Sequence, residues 1–149
     1  MTETLETTVD KFRFKVATDR LYNDEGVWAK PEGELVRLGV SDFVQQHSGD
    51  VAFAEVKPVG TQLASGDELA IIETIKVNIS LSSPVSGEVQ EINLSIASAP
   101  EAINQDPYGT GWLARVRASD WETDKTHLLE PQAYFAKMKA QAEQEVRQP

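Results

Sequence analysis

The stretch from Glu68 to Leu94, ELAIIETIKVNISLSSPVSGEVQEINL, constrains this chain more than any other. Leu69 to Ile75 is a short apolar, β-branched run of the kind that fills a buried strand. Beyond Lys76, Val77, Ile79 and Leu81 alternate with Asn78, Ser80 and Ser82, the period of a half-buried strand. The chain has to reverse between the two, yet no Gly, Pro or Asn-Gly pair stands at the junction. A type I turn accepts most residue types, so the pattern puts Lys76 in water at a hairpin tip, with a β-domain built behind it.

The rest of the chain reads as one domain of short strands with helices at its C-terminal edge. Residues 1–10 are polar and acidic and are expected to form a flexible leader, with a single domain over 11–149. Strands are expected at Phe12–Val16, on either side of Asn23-Asp24-Glu25-Gly26, at Glu34–Val40, Asp50–Val56, Glu88–Leu94 and Trp112–Val116. Ser41 is an N-cap candidate for a short helix over 42–47, stopped at Ser48-Gly49. Ala99-Pro100-Glu101 opens a helical turn that Asp106-Pro107-Tyr108-Gly109 closes. Ser119 and Glu122 have capping-box spacing, with Trp121 and Leu128 expected on one helix face. Pro131 suits the first turn of a second helix, where Tyr134 and Met138 pair and the tail from Gln141 frays.

Composition narrows the function. A formal net charge of -10 argues against nucleic acid or an anionic membrane as partner. With no cysteine there is no disulfide framework, no thiol chemistry and no thiolate metal site, so redox or acyl chemistry needs a prosthetic group. Residues 1–9 lack the basic and apolar regions of a signal peptide, and no window reaches the length of a membrane span. The expectation is a soluble, cytoplasmic, monomeric protein.

No active site stands out. His47 and His127 fall in helical segments without a metal-ligand partner at i+3 or i+4. Gly109-Thr110-Gly111 is too short for a phosphate loop, and no serine lies in a nucleophile elbow. A lysine on an exposed turn is instead what another enzyme needs in order to attach a large group. An amide there removes the charge and leaves a long tether rooted in a rigid scaffold, holding its cargo near docked partners.

IETIKVNISLSSPVSG resembles the lipoyl-lysine signature of the glycine cleavage system H-proteins. LGVSDFVQQHSGDVAFAEVKPVG, INQDPYGTGWLARV and SDWETDKTHLLEPQAY resemble further segments of that family in the same order, over roughly residues 20–137. The resemblance implies a mainly β fold, a lipoyl-type barrel-sandwich hybrid with short helices and a C-terminal helical edge. It implies a non-catalytic carrier with lipoic acid in amide linkage to Lys76, attached by lipoate ligase or lipoyl-assembly enzymes, with Glu73 as a recognition residue for them. Biotin carriers share the architecture but flank their lysine with Met, whereas Ile75 and Val77 stand here.

Two positions depart from the H-protein pattern. The family has a His-Glu-Trp segment near its N-terminus and an acid four residues beyond the lipoyl lysine, and these acids hold the amine of the loaded arm. Here Val27 and Ser80 stand in those places, with Glu25 two positions away from the first. A protonated amine in a partly closed cleft needs anionic or strong acceptor partners. The expected assignment is therefore to the H-protein-like lipoate-binding proteins of sulfur oxidation. The arm would shuttle sulfur intermediates, with a heterodisulfide-reductase-like complex and sulfur transferases as partners. The alternatives are a glycine cleavage H-protein carrying an aminomethyl group, and an unmodified β-domain that only binds.

Overall fold

The structure, a computed structural model, describes residues 3–147. The elements run β1 (Thr4–Val9), β2 (Phe12–Ala17), β3 (Leu21–Tyr22), β4 (Val27–Glu32), β5 (Leu35–Val40), α1 (Asp42–Ser48), β6 (Val51–Val56) and β7 (Gln62–Leu63). They continue with β8 (Glu68–Thr74), β9 (Asn78–Ser82), β10 (Gly87–Ile92), α2 (Ser95–Ser98), α3 (Ala102–Gln105) and β11 (Ala114–Ala118). The chain closes with α4 (Trp121–Asp124), a 3-10 turn (Lys125–His127) and α5 (Pro131–Arg147). The fold is mainly β, and no helix among the described residues is long and apolar enough to cross a membrane.

Two antiparallel sheets face each other across the main core. One is six-stranded in the order β3-β4-β5-β11-β10-β7, the other three-stranded in the order β6-β8-β9. Val36, Leu38, Val89 and Val116 from the first sheet share one apolar cluster with Leu69, Ile72 and Leu81 from the second. Val89 and Val116 come from strands whose alternate residues are more exposed, the arrangement that fills a sandwich from two inner faces, while β8 shifts register between Glu68 and Ala70 and buries Leu69, Ala70 and Ile72. This is the expected barrel-sandwich, with the central hairpin β8–β9 forming most of its smaller wall.

A second core lies outside the sandwich. Phe14, Val16, Tyr22, Trp28, Phe43, Tyr134 and Met138 bury one another where β2, α1 and α5 meet. Trp28 is fully buried, and its indole N–H donates to the carbonyls of Val40 (2.9 Å) and Pro107 (3.1 Å). The buried Arg20 guanidinium lies 4.5 Å from the Trp28 ring and donates to the Tyr108 carbonyl at 3.0 Å. Tyr22 and Tyr134 stack with ring centroids 4.4 Å apart.

Three local expectations need correction. The leader expected over 1–10 is, from Thr4 to Val9, a strand paired with β2 along its whole length (residues 1 and 2 lie outside the described residues). Its threonines read as polar, but β-branching suits a strand, and Leu5 and Val9 seal the second core. The helix expected after Ser119 begins at Trp121 behind Asp120, without a side-chain cap, and stops after one turn. Leu129 is drawn away instead to bridge Tyr22, exchanging backbone bonds of 2.7 and 2.9 Å. The tail expected to fray from Gln141 stays helical to Arg147, because Ala142 buries against the second core (residues 148 and 149 lie outside the described residues).

Candidate functional site

Lys76 sits where the first strand of the central hairpin gives way to the second, in a two-residue link, Ile75-Lys76, between the paired Thr74 and Val77. Neither link residue adopts positive φ, so the turn has none of the Gly or Asn that mirror-image hairpin turns require. Thr74 supplies the missing order. Its hydroxyl accepts from the amides of Lys76 (3.2 Å) and Val77 (3.0 Å) and donates to the Val77 carbonyl (3.0 Å). Its own amide donates to that carbonyl at 2.8 Å. A side chain thus closes the turn, which explains how the chain reverses without a recognisable turn sequence.

The Lys76 side chain is exposed and lies over the C-terminal end of α1. Its Nζ is 3.4 Å from the His47 carbonyl oxygen, one of the last carbonyls of that helix, where a cation is favoured. A Cβ on Gly49 would come within 3.2 Å of Lys76 Cε, and Gly49 has φ +90°, so both space and backbone select glycine there. Among the described residues, Lys30, Lys57, Lys125 and Lys137 make ion pairs, while Lys76, like Lys11, Lys15 and Lys139, makes none. Acylating Lys76 therefore discharges a cation without orphaning a carboxylate. An exposed amine with no ionic partner fits a covalently attached acyl group.

The other expected residue, Glu73, is exposed one step before the turn. It pairs across the sheet with Phe53 on one side and Asn78 on the other. Around it, Phe53, Ile75 and Val77 leave 49%, 84% and 46% of their surfaces in water, an apolar fringe at the foot of the lysine.

Two clefts open on either side of α1, and both include Phe43 and His47 in their walls. The first, of about 270 Å³, is lined by Asp24, Glu25, Ser80, Tyr134 and Lys137 among others. The Glu25 carboxylate is fixed there, accepting from the Ser82 amide (2.9 Å) and the Ser82 hydroxyl (3.0 Å). Asn23 aims it: its side-chain oxygen accepts from the Glu25 and Val27 amides at 3.0 and 2.9 Å. Asp24 meets Lys137 at 2.9 Å on the rim. The Ser80 hydroxyl donates to Glu68 at 2.6 Å, and that bond, with the Lys57 ammonium beyond it, holds the Glu68 carboxyl below its ordinary range. The second cleft, of about 260 Å³, is mostly apolar, and Lys76 stands in its wall.

Val27 does not line the first cleft; it is fully buried in the main core. An acid does line it, at Glu25. The cleft therefore presents a negative charge two residues before position 27. His47 stacks on Phe43 with ring centroids 5.5 Å apart, and its Nδ1 lies 3.2 Å from Glu145. His127 is exposed at the end of the 3-10 turn, and no cluster of metal-ligating side chains occurs among the described residues. Sequence reasoning missed Thr74, Gly49 and the second cleft. A serine or threonine two residues before an exposed lysine was the one local signal available for Thr74.

The family model described as "Glycine cleavage H-protein" matches residues 20–141. The glycine cleavage system H protein of Rubrobacter xylanophilus is 41% identical over 124 residues, covering 83% of this chain and 95% of that protein. That of Thermus thermophilus is 36% identical over 127 residues, covering 85% and 98%. A crystal structure of a glycine cleavage system H protein from Mycobacterium marinum superposes with a TM-score of 0.74 at 28% identity, covering 80% of this chain and 96% of that one. These likenesses overturn the expected assignment to sulfur oxidation, and nothing in them supports heterodisulfide-reductase-like partners.

Proposed function

The chain belongs to the glycine cleavage H-protein family, and on that premise we propose that it is the lipoyl carrier of a glycine cleavage system, with Lys76 as its attachment point. Proteins of this family carry lipoate covalently on a lysine. The lipoyl group supplies a disulfide, at the end of a long aliphatic arm, that takes up a one-carbon amine unit. The protein's own residues present, steer and shelter that arm, and they carry out no bond chemistry themselves.

The observation that carries this reading is an exposed, ionically unpartnered Lys76 on a turn locked by Thr74. A rigid turn holds the ε-amine clear of the sheet, as an attaching enzyme requires. Glu73 and the apolar fringe of Phe53, Ile75 and Val77 are the surface such an enzyme meets first, and Glu73 is the proposed recognition residue. The cleft lined by Glu25, Asp24 and Ser80 is the proposed harbour for the protonated amine of the cargo. Its oxygen acceptors compensate the desolvation that a buried ammonium would otherwise suffer. The partners are lipoyl-assembly enzymes, a glycine decarboxylase that loads the arm and an aminomethyltransferase that empties it.

Coexpression with lipoylating enzymes followed by intact mass measurement tests the attachment. One lipoyl adduct is expected on the native chain and none on Lys76→Ala; an adduct that persists in the variant overturns the assignment. The lipoylated protein is then expected to support glycine decarboxylation and exchange with a glycine decarboxylase, and inactivity there overturns the glycine cleavage role.

A further inference from the structure

The apolar cleft on the other side of α1 has no part in the function so far. Phe12, Phe14 and Val9 of the first hairpin form one wall, Phe43 of α1 the floor, and Ala142 and Val146 of α5 the other wall. Phe14 and Phe43 pack with ring centroids 5.5 Å apart, yet Phe12 and Val146 leave 54% and 50% of their surfaces in water. Of the polar groups at its edge, His47 and Glu145 are turned toward each other, and the Gln46 amide donates to the Arg13 carbonyl and to Asp42. Lys76 belongs to the same rim. The first hairpin and the end of α5 lie outside residues 20–141, so this groove is assembled largely from segments beyond those that the family model matches.

We propose that this groove receives the lipoyl arm of Lys76 in its uncharged disulfide form, giving the arm two berths, one on each side of His47. The proposal rests on the reading that Lys76 is lipoylated. An aliphatic chain ending in an uncharged ring gains by leaving water for the Phe12, Phe14 and Val146 surfaces. A protonated amine gains less there, because the carboxylate at the groove's edge, Glu145, is already engaged by His47, whereas the cleft across α1 gathers Asp24, Glu25 and Ser80. The chemistry of the cargo thus selects the side, and the empty arm is shielded from stray thiols between visits to its partners. The groove and the root of the arm are already in contact, so no new docking surface is needed.

Protein whose single lipoyl adduct on Lys76 has been verified by intact mass is compared with unmodified protein by methyl NMR. The methyl resonances of Val9, Ala142 and Val146 are expected to shift on lipoylation. Reduction of the oxidised arm by dithiothreitol, which forms the dihydrolipoyl dithiol and cyclic oxidised dithiothreitol, is expected to be about fivefold faster in Phe12→Ser and Val146→Ser. Both side chains are half exposed, so the fold survives; Val59→Ser, at an exposed turn away from the groove, should leave the rate unchanged. Shifts confined to Ile75 and Val77, or to Val44 and Ile79 in the acidic cleft, overturn the proposal, as do unchanged rates in both groove variants. Absence of the adduct overturns the carrier reading along with it, and the mass spectrum tells that failure from the other.

Discussion

The ammonium of Lys76 lies 3.4 Å from the carbonyl oxygen of His47, which ties the hairpin tip to the end of α1 at the ridge between the two clefts. In the proposed carrier, His47 is the point about which an arm rooted on Lys76 would turn, toward acid on one side and toward phenylalanine on the other.

That contact is the only hydrogen bond of the Lys76 side chain among the described residues, at the weak end of the range. Replacing Lys76 with Ala is expected to change unfolding free energy by less than about 1 kcal/mol, the scale of a cation at an exposed helix end. The same change is expected to abolish lipoylation. Urea denaturation and intact mass on one sample separate the two effects, and a large loss of stability would show that the lysine is structural.

Thr74→Val keeps shape and β-branching but removes the oxygen that accepts from two amides. A loss of about 1–2 kcal/mol is expected from the unpaired turn amides. A slower lipoylation rate should accompany it, since the ε-amine is then presented from a loose turn. Thr74→Ser should restore both, and a rate equal to the native one in Thr74→Val would remove the turn lock from the account.

Glu25→Gln retains an oxygen for the Ser82 amide and removes the charge facing the cleft. Charge-assisted hydrogen bonds contribute about 1.5–3 kcal/mol, so release of the amine cargo from the loaded protein is expected to be about tenfold faster or more. Rapid-quench measurement of that release, alongside an unchanged urea midpoint, checks it. Native-like release would return the question of what holds the amine.

Gly39 packs flat under the Trp28 indole, and a Cβ there would lie 2.4 Å from the ring. Trp28 cannot withdraw without breaking its two indole bonds and its contact with Arg20. Gly39→Ala is expected to cost about 1–3 kcal/mol by overpacking and to shift tryptophan emission, measured by thermal melting and fluorescence.

Burial pushes Tyr134 up to about 12 and raises Tyr22 and Tyr108 as well. A tyrosine whose folded value exceeds its unfolded value of 10 stabilises the fold fully below pH 10. Above that, the unfolded chain ionises first and binds fewer protons than the native state, so stability falls as pH rises from about 10 toward 12. Urea midpoints should be flat from neutrality to pH 9 and then decline, and in Tyr134→Phe the decline should be shallower.

Hydrophobic period and short-range turn chemistry are written in neighbouring residues, so strands β2 to β6 and β8 to β11, α1 and the exposed Lys76 were legible from the sequence, while the two-residue β7 was not. β1 was not, because its stability comes from pairing with β2 and from covering Phe14 and Met138, neither of which its own acidic, threonine-rich composition discloses. The end of α5 was misjudged for the same reason: its tail is polar, and Ala142 is buried only because a second core lies beneath it.

Local pattern determined which side chain stands exposed at the hairpin tip, since a tip needs only the residues on either side of it. What surrounds that side chain was decided by tertiary structure. Glu25 reaches the cleft by bonding Ser82, 57 residues away along the chain, and the opposing groove exists only where the first hairpin meets the last helix. Charge was therefore sought at position 27, where alignment with a pattern put it, while the fold had placed it two residues earlier. A pattern records order along the chain, whereas the energy of a bound ammonium depends on distance through space.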